Sequence, residues 1–469
     1  MKKLLLIVSA SLLLWNCEVS QPKKSESGGL NTLKAYIENK QDFSFSIKDS
    51  TAVPGAVCYR VRMNSGKWLN ESLVNEPLWW HWLDIIVPDN QNTETALLFI
   101  GGGTRFDSIW KMDSESVRKA IETKSVVAHL SNVPFQPLTY IATDTISRYE
   151  DDLIAYGWDK FLTNGAREAD VEWLARFPMT RAVVRGMDAI ESLTAKKLQP
   201  VREFVVSGAS KRGWTTWTTA AVDDRVIGMA PLVIDLLNLV PSFNHHYKAY
   251  GTWSRAIDEY KKFSIMDWMG SEEFDRMLDY VEPYEFRKVF DMPKLIVNGT
   301  LDEFFLPDSW QFYWDSIPGP KALQYVPNGN HGLAGRYNTV NVFSFFRHVV
   351  ANEPLPQMDW QVLNDHFEVA VNPAEDYEIA LWQLTNPKAR DFRIWEVGKN
   401  WQKTPIQKNE TGIYSIPAPS AVGYTTSFVE VTFNKDSQHP ITLSTGTKVL
   451  PDTYSFGDFV SESPKGSRE

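Results

Sequence analysis

Between about residue 77 and residue 353, short apolar runs rich in β-formers alternate with longer stretches of helical spacing, and this rhythm constrains the chain more than any single motif. The strand candidates are 77–87 (PLWWHWLDIIV), 96–100 (ALLFI), 125–130 (SVVAHL), 204–206, 226–234, 293–298 (PKLIVN) and 323–326; helical patterns cover 114–123, 170–193 and 340–351. Parallel strands need crossover connections, usually helices, which then cover both faces of the sheet. The pattern therefore predicts an α/β fold, a doubly wound and mostly parallel sheet. Residues 236–292 interrupt it with an aromatic-rich, mainly helical stretch. A structureless loop of that length is disfavoured in a compact domain, so a folded helical lid insertion is expected there. After Pro354 the runs become short and closely spaced (367–371, 377–384, 392–396, 412–417, 427–432 and 442–444), as in a separate β-sandwich.

The amino terminus reads as an export signal. Lys2 and Lys3 precede an apolar run, 4–14, that is too short to span a bilayer and stops at Trp15-Asn16-Cys17. A cysteine at that point resembles a bacterial lipidation site, although Trp15 and Asn16 are bulkier than the residues usual before it. Residues 1–17 are thus expected to be signal and 18–50 a polar spacer and N-terminal segment. Residues 51–353 should form the catalytic-type domain with its insertion, 354–455 the sandwich and 456–469 a polar tail. The expected location is exported, as a cell-envelope lipoprotein or a secreted protein. The chain has only two cysteines, so no disulfide framework is expected, and Cys58 reads as a small buried hydrophobe. A net charge of −10, with acidic residues interspersed, excludes an electrostatic nucleic-acid surface. Membrane contact is expected only through a lipid at Cys17.

One of the strand candidates breaks in a way that carries chemistry. In EFVVSGASKRGW (203–214) an apolar run stops at Gly208-Ala209-Ser210 and continues as a helix. A serine on such a turn is exposed above the sheet in α/β-hydrolases, where the triad follows in the order Ser, Asp or Glu, His. The glycine usual two residues after the serine is Arg212 here, and glycine comes one later at Gly213. An acid candidate, Asp302, follows the strand 293–298 in NGTLDEFFLPD, where this kind of sheet builds its sites. Glu303 and Asp308 are its alternatives, Asp308 reading as the N-cap of SWQFYW. The base candidate is His331 in VPNGNHGL, between the last strand and the last helix. His129 lies inside an apolar strand and reads as core. His245 and His246 lie in the insertion, where packing is the expectation and substrate contact the alternative. Oxyanion donors are expected from the glycine loop after 96–100, at Gly102 and Gly103, and from the amide of Lys211. No HExxH or CxxC spacing exists, so neither a metal nor a cofactor is expected.

The elbow is similar to the G-C-S-x-x-G elbow of glucuronoyl-esterase-like and tannase-like hydrolases. At larger scale the chain resembles the PhoPQ-activated pathogenicity-related proteins, a family that also includes autocrine proliferation repressor proteins. The resemblance rests on FPMTRAVVRGMDAI (177–190), VSGASKRGWTTW (206–217), DDRVIGMAPLVIDLLN (223–238) and 298–333, and extends over roughly 50–450. It implies an α/β-hydrolase fold, an exported location and catalytic roles for Ser210, Asp302 and His331. The expected function is acyl transfer on a small ester or peptide-like substrate. Aromatic residues of the insertion (Tyr247, Tyr250, Trp253, Trp268) suit a sugar ester or a peptide. Lys211 and Arg212 suit a substrate carboxylate, with a solvated or helix-packing role as the equal alternative, and Glu150, Asp151 and Asp152 suit a free amino terminus, although a charge run is usually a solvated face. A binding or signalling protein on the same scaffold is the rival reading.

Overall fold

The computed structural model describes residues 28–108, 113–197, 199–333 and 339–468. The export-signal segment and Cys17 lie outside the described residues. Its strands are β1 (Ser44–Val53), β2 (Ala56–Lys67), β3 (Leu78–Pro88), β4 (Thr95–Ile100), β5 (Val126–Leu130), the small ribbon β6 (Leu138–Thr139) and β7 (Ser147–Arg148), β8 (Glu203–Ala209), β9 (Val226–Leu232), β10 (Lys294–Gly299) and β11 (Lys321–Val326). Nine of these form one sheet in the order β1-β2-β3-β5-β4-β8-β9-β10-β11. Pairing is antiparallel from β1 to β5 and parallel from β5 onward. The sheet is therefore mixed at one edge. The β1–β2 hairpin was not visible in the apolar pattern because β1 is an edge strand whose residues are almost all exposed, and the expected boundary at residue 50 falls inside it.

Alternation along the strands explains why helices cover both faces. In β4, Ala96, Leu98 and Ile100 join one buried cluster while Leu97 joins the other. In β8, Phe204 and Val206 divide from Val205 in the same way, because successive side chains point to opposite sides. The helices α2 (Ser114–Thr123), α3 (Glu150–Thr163), α4 (Arg176–Thr194), α5 (Lys211–Val222) and α9 (Thr339–Ala351) supply the covering layers. Before them, α1 (Gly28–Glu38) buries Leu30, Leu33 and Ile37 in the first cluster, so structure begins inside the stretch expected to be a spacer. Cys58 is buried as expected, and burial pushes its thiol up to about 11.

Between β9 and β10 the insertion folds as α6 (Leu239–Tyr250), α7 (Asp258–Lys262) and α8 (Glu272–Val281), joined by short 3-10 turns. The last described residues do not trail away as a polar tail but lie on this insertion. The Phe459 ring packs 5.1 Å from Tyr247 and 4.9 Å from Trp253. The Lys465 amide donates to the Asp267 carbonyl and the Ser467 amide to Glu273 Oε2, at 2.9 and 2.8 Å.

The carboxy-terminal strands form two antiparallel sheets consistent with a β-sandwich. One contains Met358–Val362, His366–Val371 and Ile413–Pro417. The other contains Gln402–Ile406, Tyr377–Asn386, Tyr424–Phe433 and Ile441–Ser444, with Lys448–Leu450 alongside. The expected strand at 392–396 is instead a helical turn, Ile394–Val397. Arg393 there is bound to Asp391 and stacked 3.9 Å over Tyr250, so its neighbours wrap a side-chain anchor instead of a ladder. Phe367, Val429 and Phe433 share one cluster with Phe343 and Phe346 of α9, which fuses the sandwich to the second face of the main sheet.

Candidate active site

The strand order reverses at β4. The chain passes from β4 to β5 on one side and later returns to place β8 on the other, so the crevice outside the carboxyl ends of β4 and β8 is a topological switch point. The glycine loop leaves β4 there, and Ser210 leaves β8. Ser210 has φ 57° and ψ −124°, a backbone region that is costly for any residue but glycine. The turn is held by the Ser210 amide donating to the Leu232 carbonyl at 2.8 Å. Two glycines allow it. A Cβ on Gly208 would lie 2.6 Å from the Arg212 carbonyl oxygen, and one on Gly213 would lie 2.8 Å from the Leu232 oxygen. The displaced second glycine of the motif thus stands where α5 crosses β9, leaving position 212 free to carry a long side chain.

His331 Nε2 lies 2.8 Å from Ser210 Oγ. Its Nδ1 lies 2.9 and 3.0 Å from the two carboxylate oxygens of Asp302, which is 4% exposed. Asp302 also accepts the Phe304 amide at 2.8 Å, so the carboxylate is fixed from a second direction. The structure therefore joins the three predicted residues in one hydrogen-bonded chain. The alternative acids have other partners. Glu303 accepts the His331 backbone amide at 2.8 Å and so holds the histidine loop. Asp308 makes no cap hydrogen bond; its carboxylate meets Arg390 Nη2 at 2.7 Å and His245 Nε2 at 2.8 Å. Burial pushes the Asp308 carboxyl up, but the Arg390 and His245 charges outweigh it and hold it well below the ordinary range.

Gly102, Gly103, Ser210, Lys211, Arg212 and His331 all line one cleft of about 970 Å³. Hydrogen bonds from the Asn132 amide to the Gly102 carbonyl (2.6 Å) and from the Val133 amide to the Gly101 carbonyl (3.1 Å) set the glycine loop. Among the described residues, the amides of Gly102 and Gly103 have no hydrogen-bond partner. Lys211 is the first residue of α5, where a helix amide has no acceptor of its own. Sequence reasoning missed Gln136, which is 2% exposed. Its Nε2 donates to the Gly103 carbonyl at 2.8 Å and to Glu150 Oε1 at 2.7 Å, tying the glycine loop to α3. A lone glutamine among prolines carries no pattern that would have marked it.

The charged residues beside Ser210 satisfy one another. Lys211 Nζ lies 2.9 Å from both Glu150 Oε2 and Asp151 Oδ2. Arg212 pairs with Glu150 and donates from Nε to the Val133 carbonyl at 2.6 Å. Although burial raises the Glu150 carboxyl, Arg212 and Lys211 bring it down to about 2. Asp152 pairs with Arg148 and Lys262. The acidic run that suits a free amino terminus is thus consumed internally, and so are the two cations that suit a substrate carboxylate. Tyr247, Tyr250, Trp253 and Trp268 do not line the cleft. They pack among themselves, the tail and Arg393.

The histidines of the insertion are structural. His245 bridges Asp308 and the Tyr454 hydroxyl. His246 Nε2 accepts the Ser254 amide at 3.0 Å, and burial lowers its imidazole to about 3, so it stays neutral. His129 lies in β5 but is not a pure core residue. It borders the cleft, stacks 4.9 Å from Phe99 and meets Ser116 Oγ at 2.9 Å.

A serine on a sharp strand-to-helix turn at the switch point, followed in chain order by an aspartate and a histidine on loops after later strands, defines an α/β-hydrolase scaffold. Within that class the chain belongs to the family of the PhoPQ-activated pathogenicity-related proteins, whose family model matches residues 33–393. It is 32% identical over 459 residues to autocrine proliferation repressor protein A of Dictyostelium discoideum, covering 91% of each chain. Its structure is similar to that of acetyl xylan esterase 1 from Thermoanaerobacterium sp. JW/SL YS485, at 14% identity and a TM-score of 0.49 over 68% of this chain and 92% of that one. An acetyl xylan esterase from Paenibacillus sp. R4 is similar at 14% identity and a TM-score of 0.47, over 69% and 92%.

Proposed function

We propose that this protein is an exported serine hydrolase that transfers acyl groups from an ester or peptide-like substrate to water. The observation that carries the reading is the unbroken hydrogen-bonded chain from Asp302 through His331 to Ser210. Ser210 Oγ attacks the carbonyl carbon while His331 Nε2 takes its proton, and Asp302 holds the imidazole with Nδ1 protonated. The amides of Gly102 or Gly103 and of Lys211 receive the oxyanion, each such donor being worth about 3 kcal/mol. As the carbon–oxygen or carbon–nitrogen bond breaks, His331 returns the proton to the leaving group. Water, deprotonated by the same histidine, then releases the acid and restores the serine. No step calls for a cofactor.

The test is labelling of the purified mature protein with a fluorophosphonate, in parallel with Ser210→Ala and His331→Ala. Wild type should label and both variants should not. A folded wild-type protein that stays unlabelled refutes the activated serine. That result would favour the second reading, a binding or signalling protein on a hydrolase scaffold, for which the support is the name of the Dictyostelium relative. Export, with lipid on Cys17, rests on Lys2, Lys3 and the apolar run before that cysteine. The mass of the mature chain and its partition between membrane and soluble fractions test it.

A further inference from the structure

Ser210 borders two spaces of different character, and His331 borders only one of them. The first is the cleft already described, which runs from Gly101–Gly103 and His331 to Asp113, Ser116 and His129. Its far end is polar: Ser116 Oγ lies 2.9 Å from His129 Nε2, and Asp113 accepts the Ser116 amide at 3.0 Å. The second space lies on the other side of Ser210, under the helical insertion. It is lined by apolar side chains that include Trp214, Leu236, Leu239, Phe243, Ile257 and Phe305. Its volume is about 50 Å³, where one water needs roughly 10–15 Å³ on that measure. Polar groups at its wall are turned on one another. Tyr260 donates to Asp151 at 3.1 Å, Lys211 Nζ pairs with Asp151, and Arg176 Nη1 donates to the Lys211 carbonyl at 2.8 Å.

The mechanism assigns these spaces. His331 Nε2 must hand its proton to the departing oxygen, so the leaving alcohol occupies the side that His331 borders, which is the large cleft. The acyl chain is left with the small apolar space. We infer that the substrate is an ester of a short aliphatic acid, with two to four carbons, and a large hydrogen-bonding alcohol. The inference rests on the serine-hydrolase reading. In the reaction the ester carbon–oxygen bond breaks, the alcohol leaves with the proton from His331, and water converts the acyl-serine to the free short-chain acid. Chain length is set by the insertion: Leu239 and Phe243 come from α6, and Ile257 from the turn before α7.

The experiment measures kcat/KM for 4-nitrophenyl acetate, butyrate, hexanoate and octanoate with the full mature protein, and for Ile257→Ala and Leu236→Ala. Leu236 is only half-buried where Ile257 is buried, so its truncation is the less disruptive of the two to the fold. The wild type should favour acetate over hexanoate by at least tenfold, since a single methylene in a hydrophobic pocket is worth about 10–200-fold. Either variant should shift the ratio toward hexanoate by about tenfold while fluorophosphonate labelling of Ser210 is retained. A second arm compares acetate release from ethyl acetate and from penta-acetylglucose, and the sugar ester should be the better substrate. Equal rates across chain lengths, a ratio the variants leave unmoved, or labelled protein that hydrolyses none of these esters overturns the inference while leaving the activated serine in place. Absence of labelling overturns the underlying serine-hydrolase reading instead.

Discussion

Replacing Ser210 by glycine should abolish activity and at the same time make the protein harder to unfold than the alanine variant. Ser210 is held at φ 57° and ψ −124°. A side chain in such a sparsely populated region costs about 1–3 kcal/mol. Glycine removes that cost in the folded state but gives the unfolded chain more freedom to lose, at about 0.4–1 kcal/mol. The difference leaves Ser210→Gly about 1 kcal/mol more stable than Ser210→Ala. Alanine is the proper reference because both variants lose the same 2.8 Å contact to His331. Urea unfolding of the two variants, followed by tryptophan fluorescence, gives the comparison directly. A glycine variant that unfolds at the same or a lower urea concentration than the alanine variant refutes the claim that strain is stored at Ser210.

Asp302→Asn should lower kcat by roughly 10⁴-fold with little change in KM, because the amide presents the wrong partner to His331 Nδ1; steady-state kinetics on any accepted ester checks this. Arg390→Ala should destabilise by about 3–5 kcal/mol, since Asp308 would be left buried and short of its main cation; thermal or urea unfolding reads it. Asp235 is buried with both carboxylate oxygens on tyrosine hydroxyls, Tyr313 and Tyr325, and burial pushes its carboxyl up to about 8. Between about pH 4 and 8 the unfolded chain gives up this proton and the folded chain keeps it, so stability falls as pH rises through that window. Asp235→Asn should match wild type near pH 4 and gain on it steadily toward pH 8, and parallel pH profiles of unfolding would count against the assignment.

The three residues of the hydrogen-bonded chain were legible because each follows the end of a strong apolar strand, where a parallel sheet presents its loops. What lay outside the pattern was set by partners distant in sequence. Asp308 has the look of a helix cap until Arg390, 82 residues on, comes to meet it. Glu150 has the look of a solvated charge until Arg212, Lys211 and Gln136 close on it. The exposed edge strand β1 lacks the apolar rhythm that revealed β4 and β8. The aromatic residues of the insertion invited a reading as a substrate platform because composition records how many rings there are and not which way they face. Apolar periodicity thus located the crevice, while the neutralisation of its charges and the ownership of its rings depended on contacts that no local window contains.

Chain ends are usually where trimming and fusion do least harm. Here residues 459–468 are laid against α6 and α8, with Phe459 packed on both Tyr247 and Trp253 and Arg468 Nη1 donating to the Met269 carbonyl at 2.7 Å. The inner surface of α6 is a wall of the small space beside Ser210. Removing residues 459–468, or fusing a tag directly onto them, would therefore act as a modification of the site's own wall, and a screen on such a protein would be reading an altered site.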